Sequence, residues 1–256
     1  SYAFDYDALG RKTKVSVNGE TLFTKSYSDD STSDVETTTY ANGEIVSIHD
    51  SKLDRVSDGS GYVWEYTFEE LKGFNFGKGY NAAYDGLKIV SFEEILKKFS
   101  CHVIMNIHIK SRDKISELNE EYLKKIIRLI DKYDCDKYVY FMSGNDFVLA
   151  QLGRLAPHLK RCVGAGNAPD LIVERAIELG CEKVQFFKEH ISADKIELAH
   201  RHGIICNYFY CDDVDKVHQY LDMGVDTILT NDFLKIQNAT NYKRKLKSIA
   251  KKRLSK

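Results

Sequence analysis

The 256 residues are 43% hydrophobic, enough to bury one large core, and the length suits a single α/β barrel as readily as two smaller domains. With 37 basic and 38 acidic side chains the formal net charge is -1, which excludes a general electrostatic pull toward nucleic acid or acidic lipid. No apolar run approaches the roughly 18 residues that span a bilayer, and no secretory signal is visible, although a chain opening on Ser1 is compatible with a mature or trimmed product.

Residues 1–48 are rich in Thr, Ser, Tyr, Asp and Gly. Asn18-Gly19 is a type I′ turn signal and predicts a hairpin of Lys12–Val17 with Thr21–Tyr27. Asn42-Gly43 predicts a second, between Val35–Tyr40 and Glu44–Ile48, which delivers His49 and Asp50 at its end. Asp34 and Glu36 stand two residues apart, so in a strand both carboxylates point to one face. Two acids and a histidine in this arrangement suit a divalent metal and a proton carrier, but the spacing alone is not specific.

From Ser91 onward helical and strand patterns alternate. Three- and four-residue apolar spacing predicts helices at Ser91–Phe99, Glu121–Tyr133, Phe147–Ala156, Leu171–Leu179, Ala193–His202 and Val214–Met223. Between them the short apolar runs His102–Ile109, Tyr138–Met142, Arg161–Ala165, Lys183–Phe187, Ile204–Tyr210 and Thr227–Thr230 read as strands. Ser192 and Asp212-Asp213 are start signals, and Gly180, Gly203 and Gly224 are stop signals. Six strands in strict alternation with helices require a parallel sheet covered by helices. Two further strands from the N-terminal part bring the count to the eight of a closed TIM-like (β/α)8 barrel; an open doubly wound sheet is the alternative. The basic stretch Lys243–Lys256 reads as a solvated terminal helix. The six cysteines are scattered, without zinc-ligand spacing, and read as buried reduced thiols, which leans to a cytoplasmic location; a secreted or surface location stays open if the chain is a mature fragment.

The stretches Asp34-Val-Glu-Thr-Thr-Thr-Tyr-Ala-Asn-Gly-Glu-Ile-Val-Ser-Ile-His-Asp50, Leu53-Asp-Arg-Val-Ser-Asp-Gly-Ser-Gly61, Thr67-Phe-Glu-Glu-Leu71, Ser91-Phe-Glu-Glu-Ile-Leu96, Asn106-Ile-His-Ile-Lys110, Ala199-His-Arg-His-Gly203 and Gly224-Val-Asp-Thr-Ile-Leu-Thr-Asn231 together resemble the glycerophosphodiester phosphodiesterases over about residues 34–234. The resemblance implies a TIM-like barrel with its site at the carboxyl ends of the strands, and hydrolysis of a small glycerophosphodiester to glycerol 3-phosphate and an alcohol. It implies a divalent ion, calcium or magnesium, between Asp34, Glu36 and a later position held here by His108. It makes His49 an acid–base histidine and Lys110 a ligand of a phosphate oxygen. Phe209 and Tyr210 stand where many members have a Trp, so Phe209 is a candidate pocket wall, and Asp212 a candidate polar pocket residue. No nucleic-acid partner and no membrane span are expected.

Three departures qualify the resemblance. The acidic pair is Asp-x-Glu rather than Glu-x-Asp. The later glutamate is His108, which removes one negative charge and favours a nitrogen-tolerant ion such as manganese or zinc. The family's early His-Arg-Gly and Pro-Glu-Asn-Thr are absent from residues 1–33, and with them a second catalytic histidine and a phosphate-binding arginine. In their place Tyr6-Asp-Ala-Leu-Gly-Arg-Lys-Thr13 resembles the YD repeats of Rhs-type proteins. Residues 1–33 are therefore expected to be an atypical β-rich segment and 34–256 the barrel, in one compact domain. The alternative reading is an inactive barrel that binds a phosphorylated ligand or a protein partner.

Overall fold

A computed structural model describes residues 2–6, 12–17, 20–26, 37–40, 44–78, 81–110, 120–166 and 168–241, with side chains from residue 44 onward. The chain divides into two compact units, Ser1–Ile104 with Ser111–Tyr138, and Met105–Lys110 with Val139–Lys256.

In the first unit β1 (Tyr2–Tyr6), β2 (Lys12–Val17), β3 (Glu20–Ser26) and β4 (Thr37–Tyr40) form an antiparallel sheet in chain order. The first expected hairpin is therefore present, with Val15 opposite Phe23. The second is not: β4 pairs with β3, Ser26 opposite Thr37, and Val46 bridges Ser91 instead. The edge of β3 satisfies the β4 ladder, so residues 44–48 pair elsewhere. The turn residues Asn42-Gly43 lie outside the described residues, and His49 is reached through a segment tethered by the Val46 bridge and not at a hairpin end.

Three helices belong to this unit: α1 (Phe68–Gly73), α2 (Phe92–Phe99) and α3 (Glu120–Lys132). The Thr67-Phe-Glu-Glu and Ser91-Phe-Glu-Glu motifs are capping boxes. Thr67 Oγ1 accepts from Glu70 N at 3.1 Å while Glu70 Oε2 accepts from Thr67 N at 2.8 Å, and Ser91 and Glu94 repeat the exchange at 3.2 and 2.8 Å. Each box satisfies two helix-end donors. Leu53, Leu71 and Ile89 make a small core beneath this segment.

The second unit holds β5 (Met105–His108), β6 (Val139–Ser143), β7 (Lys160–Val163), β8 (Lys183–Phe187), β9 (Ile205–Phe209) and β10 (Thr227–Ile228), all parallel. Helices α4 (Asp146–Leu155), α5 (Ile172–Leu179), α6 (Ala193–Arg201) and α7 (Val214–Met223) alternate with the last five strands, and a further helix runs through residues 233–241. Strand order follows chain order without a reversal. A doubly wound sheet requires a reversal, so the winding is that of the barrel class. Among the described residues the parallel sheet has six strands rather than eight, because the N-terminal strands that the sequence offered to it pair with one another in the antiparallel sheet.

Strand register separates two faces. Val163, Val184, Phe186, Cys206 and Tyr208 pack with the helices in the main core, beside Ile172, Val173, Ala176, Ile196 and Ala199. The other face carries polar groups: Asn207 accepts from the Thr227 hydroxyl, and its amide lies 4.0 Å from Cys162 Sγ. Burial pushes the Tyr140 hydroxyl on this face up to about 12. Gly180 and Gly224 close α5 and α7 in the left-handed conformation, φ 61° and 111°, as the stop signals required.

Five cysteines are buried and Cys101 is exposed; all six are free thiols. No helix among the described residues is long and apolar enough to cross a membrane. The basic stretch 243–256 lies outside the described residues.

Candidate active site

In the parallel sheet Asn106 is in register with Tyr140 and His108 with Met142, which is in turn in register with Cys162. Parallel neighbours in register point to the same side, so Asn106 and His108 face away from the helices, with Tyr140 and Cys162. The ladder continues one residue further, Ile109 N to Met142 O at 2.8 Å, and the alternation puts Lys110 beside His108 on that face. Both are exposed at the carboxyl end of β5. About 7 Å of strand separates two residues two apart, room for a phosphate to bridge an imidazole and an ammonium.

The neighbouring strand ends are braced. Ser143 Oγ donates to Ile109 O at 2.9 Å and Gly164 N donates to Ser143 O at 2.8 Å, linking the ends of β5, β6 and β7. Gly144 and Gly166 approach backbone to backbone; a Cβ on Gly166, whose φ is +56°, would stand 2.1 Å from Gly144 O. Beneath them the buried Arg175 donates to Gly144 O at 3.1 Å, Ala165 O at 2.8 Å and the Asp146 carboxylate at 2.5–3.0 Å. The fork geometry of the guanidinium ties two loops and one helix start into a single unit.

At the end of β9, Phe209 is 37% and Tyr210 52% exposed, and the Phe209 ring lies 5.8 Å from that of Phe187. Asp212 is committed to the next loop: its Oδ1 accepts from Thr230 Oγ1 and Asn231 N, both at 2.7 Å, and its Oδ2 from Asn231 Nδ2 at 2.9 Å. These donors hold the Asp212 carboxyl below its ordinary value, the Asn231 side chain first. A lowered carboxyl stabilises the fold above the unfolded-state value and loses that contribution as pH falls through the folded-state value. Asp212→Asn is therefore expected to lower the melting temperature at neutral pH, with the deficit shrinking as the pH drops below 3.8; melting curves across pH check it, and a pH-independent deficit would contradict it.

In the first unit His49 Nδ1 lies 2.5 Å from Asp50 Oδ1, and Arg55 grips the same carboxylate with Nε to Oδ2 and Nη2 to Oδ1, both 2.6 Å. The Arg55 guanidinium, then His49, hold the Asp50 carboxyl well below the usual carboxylate range. An ionised Asp50 can only accept, so Nδ1 is the protonated nitrogen and the ring's orientation is held. Turn geometry supports the chain of contacts: Leu53 N donates to Gly61 O at 2.9 Å and Gly61 N to Asp54 Oδ2 at 3.1 Å, with Leu53 fully buried. Sequence reading singled out His49 but gave Asp50 and Arg55 no role; the His-Asp pair and the arginine five residues on were the available signal.

Thus His108, Lys110, Phe209 and Asp212 stand at the carboxyl edge of one sheet, His49 stands in the other unit, and Asp34 and Glu36 lie outside the described residues. As residue types, the two carboxylates and the imidazole that the resemblance implies would carry charge −2 and suit a divalent ion of intermediate hardness. His102, His158 and His202 are exposed, whereas the Nε2 of His218 is buried without a hydrogen-bond partner among the described residues, and His200 is engaged with Asp226.

The glycerophosphoryl diester phosphodiesterase family model matches residues 34–235. The chain is 24% identical over 205 residues to a glycerophosphodiester phosphodiesterase of Bacillus subtilis, covering 74% of this chain and 70% of that protein. It is 27% identical over 194 residues to one of Caldanaerobacter subterraneus subsp. tengcongensis, covering 75% and 78%. Among solved structures, an Oleispira antarctica phosphodiesterase in complex with the product sn-glycerol-3-phosphate superposes with TM-score 0.68 at 21% identity, covering 78% of this chain and 81% of that one. The YD-repeat resemblance of the first residues is not borne out; the family match begins at residue 34.

Proposed function

The chain belongs to the glycerophosphoryl diester phosphodiesterase family and hydrolyses glycerophosphodiesters to glycerol 3-phosphate and an alcohol, and from that premise we propose that His49 is its proton carrier, Lys110 its phosphate anchor, and Asp34, Glu36 and His108 the residues that hold its divalent ion. The observation that carries the proposal is the Arg55–Asp50–His49 chain of short hydrogen bonds inside the family-matched segment. An ion held by Asp34, Glu36 and His108 would neutralise phosphate charge. His49, oriented by Asp50, gives its proton to the departing alkoxide as the phosphorus–oxygen bond breaks; the new oxygen comes from water, or from the neighbouring glycerol hydroxyl to give a cyclic phosphate that water then opens, and the proton of the attacking group passes to solvent. Lys110 meets the charge that develops on a phosphate oxygen. Phe209 forms a wall for the alcohol. Asp212 acts on the substrate side by holding the Thr230–Asn231 loop. Residues 34–256 serve as the catalytic domain and 1–33 as an appendage to it, in keeping with where the family match begins.

Magnesium or calcium follows from the family, and manganese or zinc from the nitrogen of His108. Glycerol 3-phosphate release from glycerophosphocholine, after chelation and re-addition of each of these ions, tests the proposal. Lys110→Met is expected to lower kcat/KM by about 10- to 100-fold, the worth of one charged hydrogen bond. An unchanged kcat/KM removes Lys110 from the site. A second reading, a barrel that binds a phosphorylated ligand without cleaving it, draws on the missing His-Arg-Gly; glycerol phosphate binding without product release under every ion would favour it.

A further inference from the structure

The opposite end of the parallel sheet gathers three metal-ligating side chains from three elements. His200 lies near the end of α6, Cys206 near the start of β9 and Asp226 just before β10. His200 Nε2 is 3.0 Å from Asp226 Oδ2, and one ligand atom from each of the three residues lies within 4.8 Å of the others. Asp226 Oδ2 also accepts the Cys206 N–H at 2.7 Å, which fixes the carboxylate against the strand that carries the thiol. Ligands held at 2.0–2.3 Å around a tetrahedral ion stand about 3.3–3.8 Å apart. The three ligand atoms, all within 4.8 Å of one another, exceed that spacing by about 1 Å at most.

We propose that His200, Cys206 and Asp226 form a second metal site, for a zinc-class ion and separate from the hydrolytic site. One nitrogen, one sulfur and one oxygen suit zinc or cobalt and reject calcium and magnesium, which prefer oxygen alone. Access is provided because the His200 and Asp226 side chains are 41% and 40% exposed, while Cys206 is buried. His200 also lines an open cleft of about 490 Å³ with Glu197, Arg201 and Met223, so its ring meets solvent on that side. Coordination releases the Cys206 thiol proton to that solvent and leaves a thiolate on the ion. The site is at the amino ends of the strands, where this architecture places stability rather than catalysis. The ion pins α6, β9 and β10 together.

Cobalt(II) titration of the chelator-stripped full chain tests this, read by absorbance and by bound metal per chain. The wild type is expected to develop a thiolate-to-cobalt charge-transfer band. Cys206→Ser should lose that band and one equivalent of cobalt while keeping magnesium-supported hydrolysis, and Cys101→Ser, at the exposed thiol, should keep both band and stoichiometry. His200→Gln provides a second variant should the serine disturb folding, and is expected to weaken cobalt binding at this site at least tenfold. Absence of the band in the wild type, or a band and stoichiometry that survive Cys206→Ser and His200→Gln, would overturn the site and leave the His200–Asp226 contact as a brace alone.

Discussion

Replacing His49 with alanine is expected to lower kcat for glycerol 3-phosphate release by roughly 10²- to 10⁴-fold, the range for removal of one positioned acid–base group. The alkoxide leaving group is a strong base, and without a proton donor its departure carries the full charge. Asp50 holds Nδ1 at 2.5 Å, and Arg55 keeps that carboxylate ionised, so Asp50→Asn should lower kcat less than His49→Ala, because it loosens the orientation of the ring and leaves the proton carrier in place. Bound substrate is still held by other groups, so KM should change little. Steady-state kinetics across pH, with an imidazole rescue of the alanine variant, measure all three effects. Activity indifferent to His49→Ala would remove it from the mechanism, and with it the proposed role of the Asp50–Arg55 pair.

Arg175→Met is expected to destabilise the fold by about 3 kcal/mol, toward the lower end of the range for breaking a buried ion pair. The guanidinium is 10% exposed but its partner Asp146 is 48% exposed, so water recovers part of the loss at the carboxylate. The carbonyls of Gly144, Gly164 and Ala165 lose their donor in the interior. Chemical denaturation measures the change, and a fall in melting temperature of roughly 6–12 °C corresponds to it for a chain of this size. Arg175→Lys keeps the charge but cannot span carboxylate and carbonyls together, and should recover less than half. Since these carbonyls belong to the strand ends beside β5, substrate binding should weaken in both variants at temperatures where they remain folded. A loss below about 1 kcal/mol would mean that water replaces the fork, as it does for exposed pairs.

The helical half of the chain was legible because its signals are local. Val214–Met223 was read to its ends, since Asp213 caps it through Asp215 N and Lys216 N and Gly224 stops it with a positive φ. Lys183–Phe187 was likewise read to its bounds. The run His102–Ile109 narrowed to Met105–His108, because an apolar run does not reveal where a parallel neighbour ceases to offer a ladder partner. Strand partnership also defeated the second hairpin: β4 carries a hairpin-like sequence and pairs backward with β3, a choice between edges that no turn signal encodes.

For the site, sequence order supplied the residue types and the family supplied their roles. His49, His108 and Lys110 were legible as chemistry-bearing residues, whereas the Arg55 grip on Asp50, the Arg175 brace and the His200–Cys206–Asp226 gathering join residues that composition and periodicity do not connect. The sequence by itself determined the alternation of strand and helix, the caps and the parallel, helix-covered architecture, because each follows from side-chain periodicity and backbone hydrogen bonding within a few residues. Only the tertiary structure decided which strands share an edge, that the parallel sheet winds without reversal, and which distant side chains meet, because those outcomes depend on competition among contacts far apart in the chain.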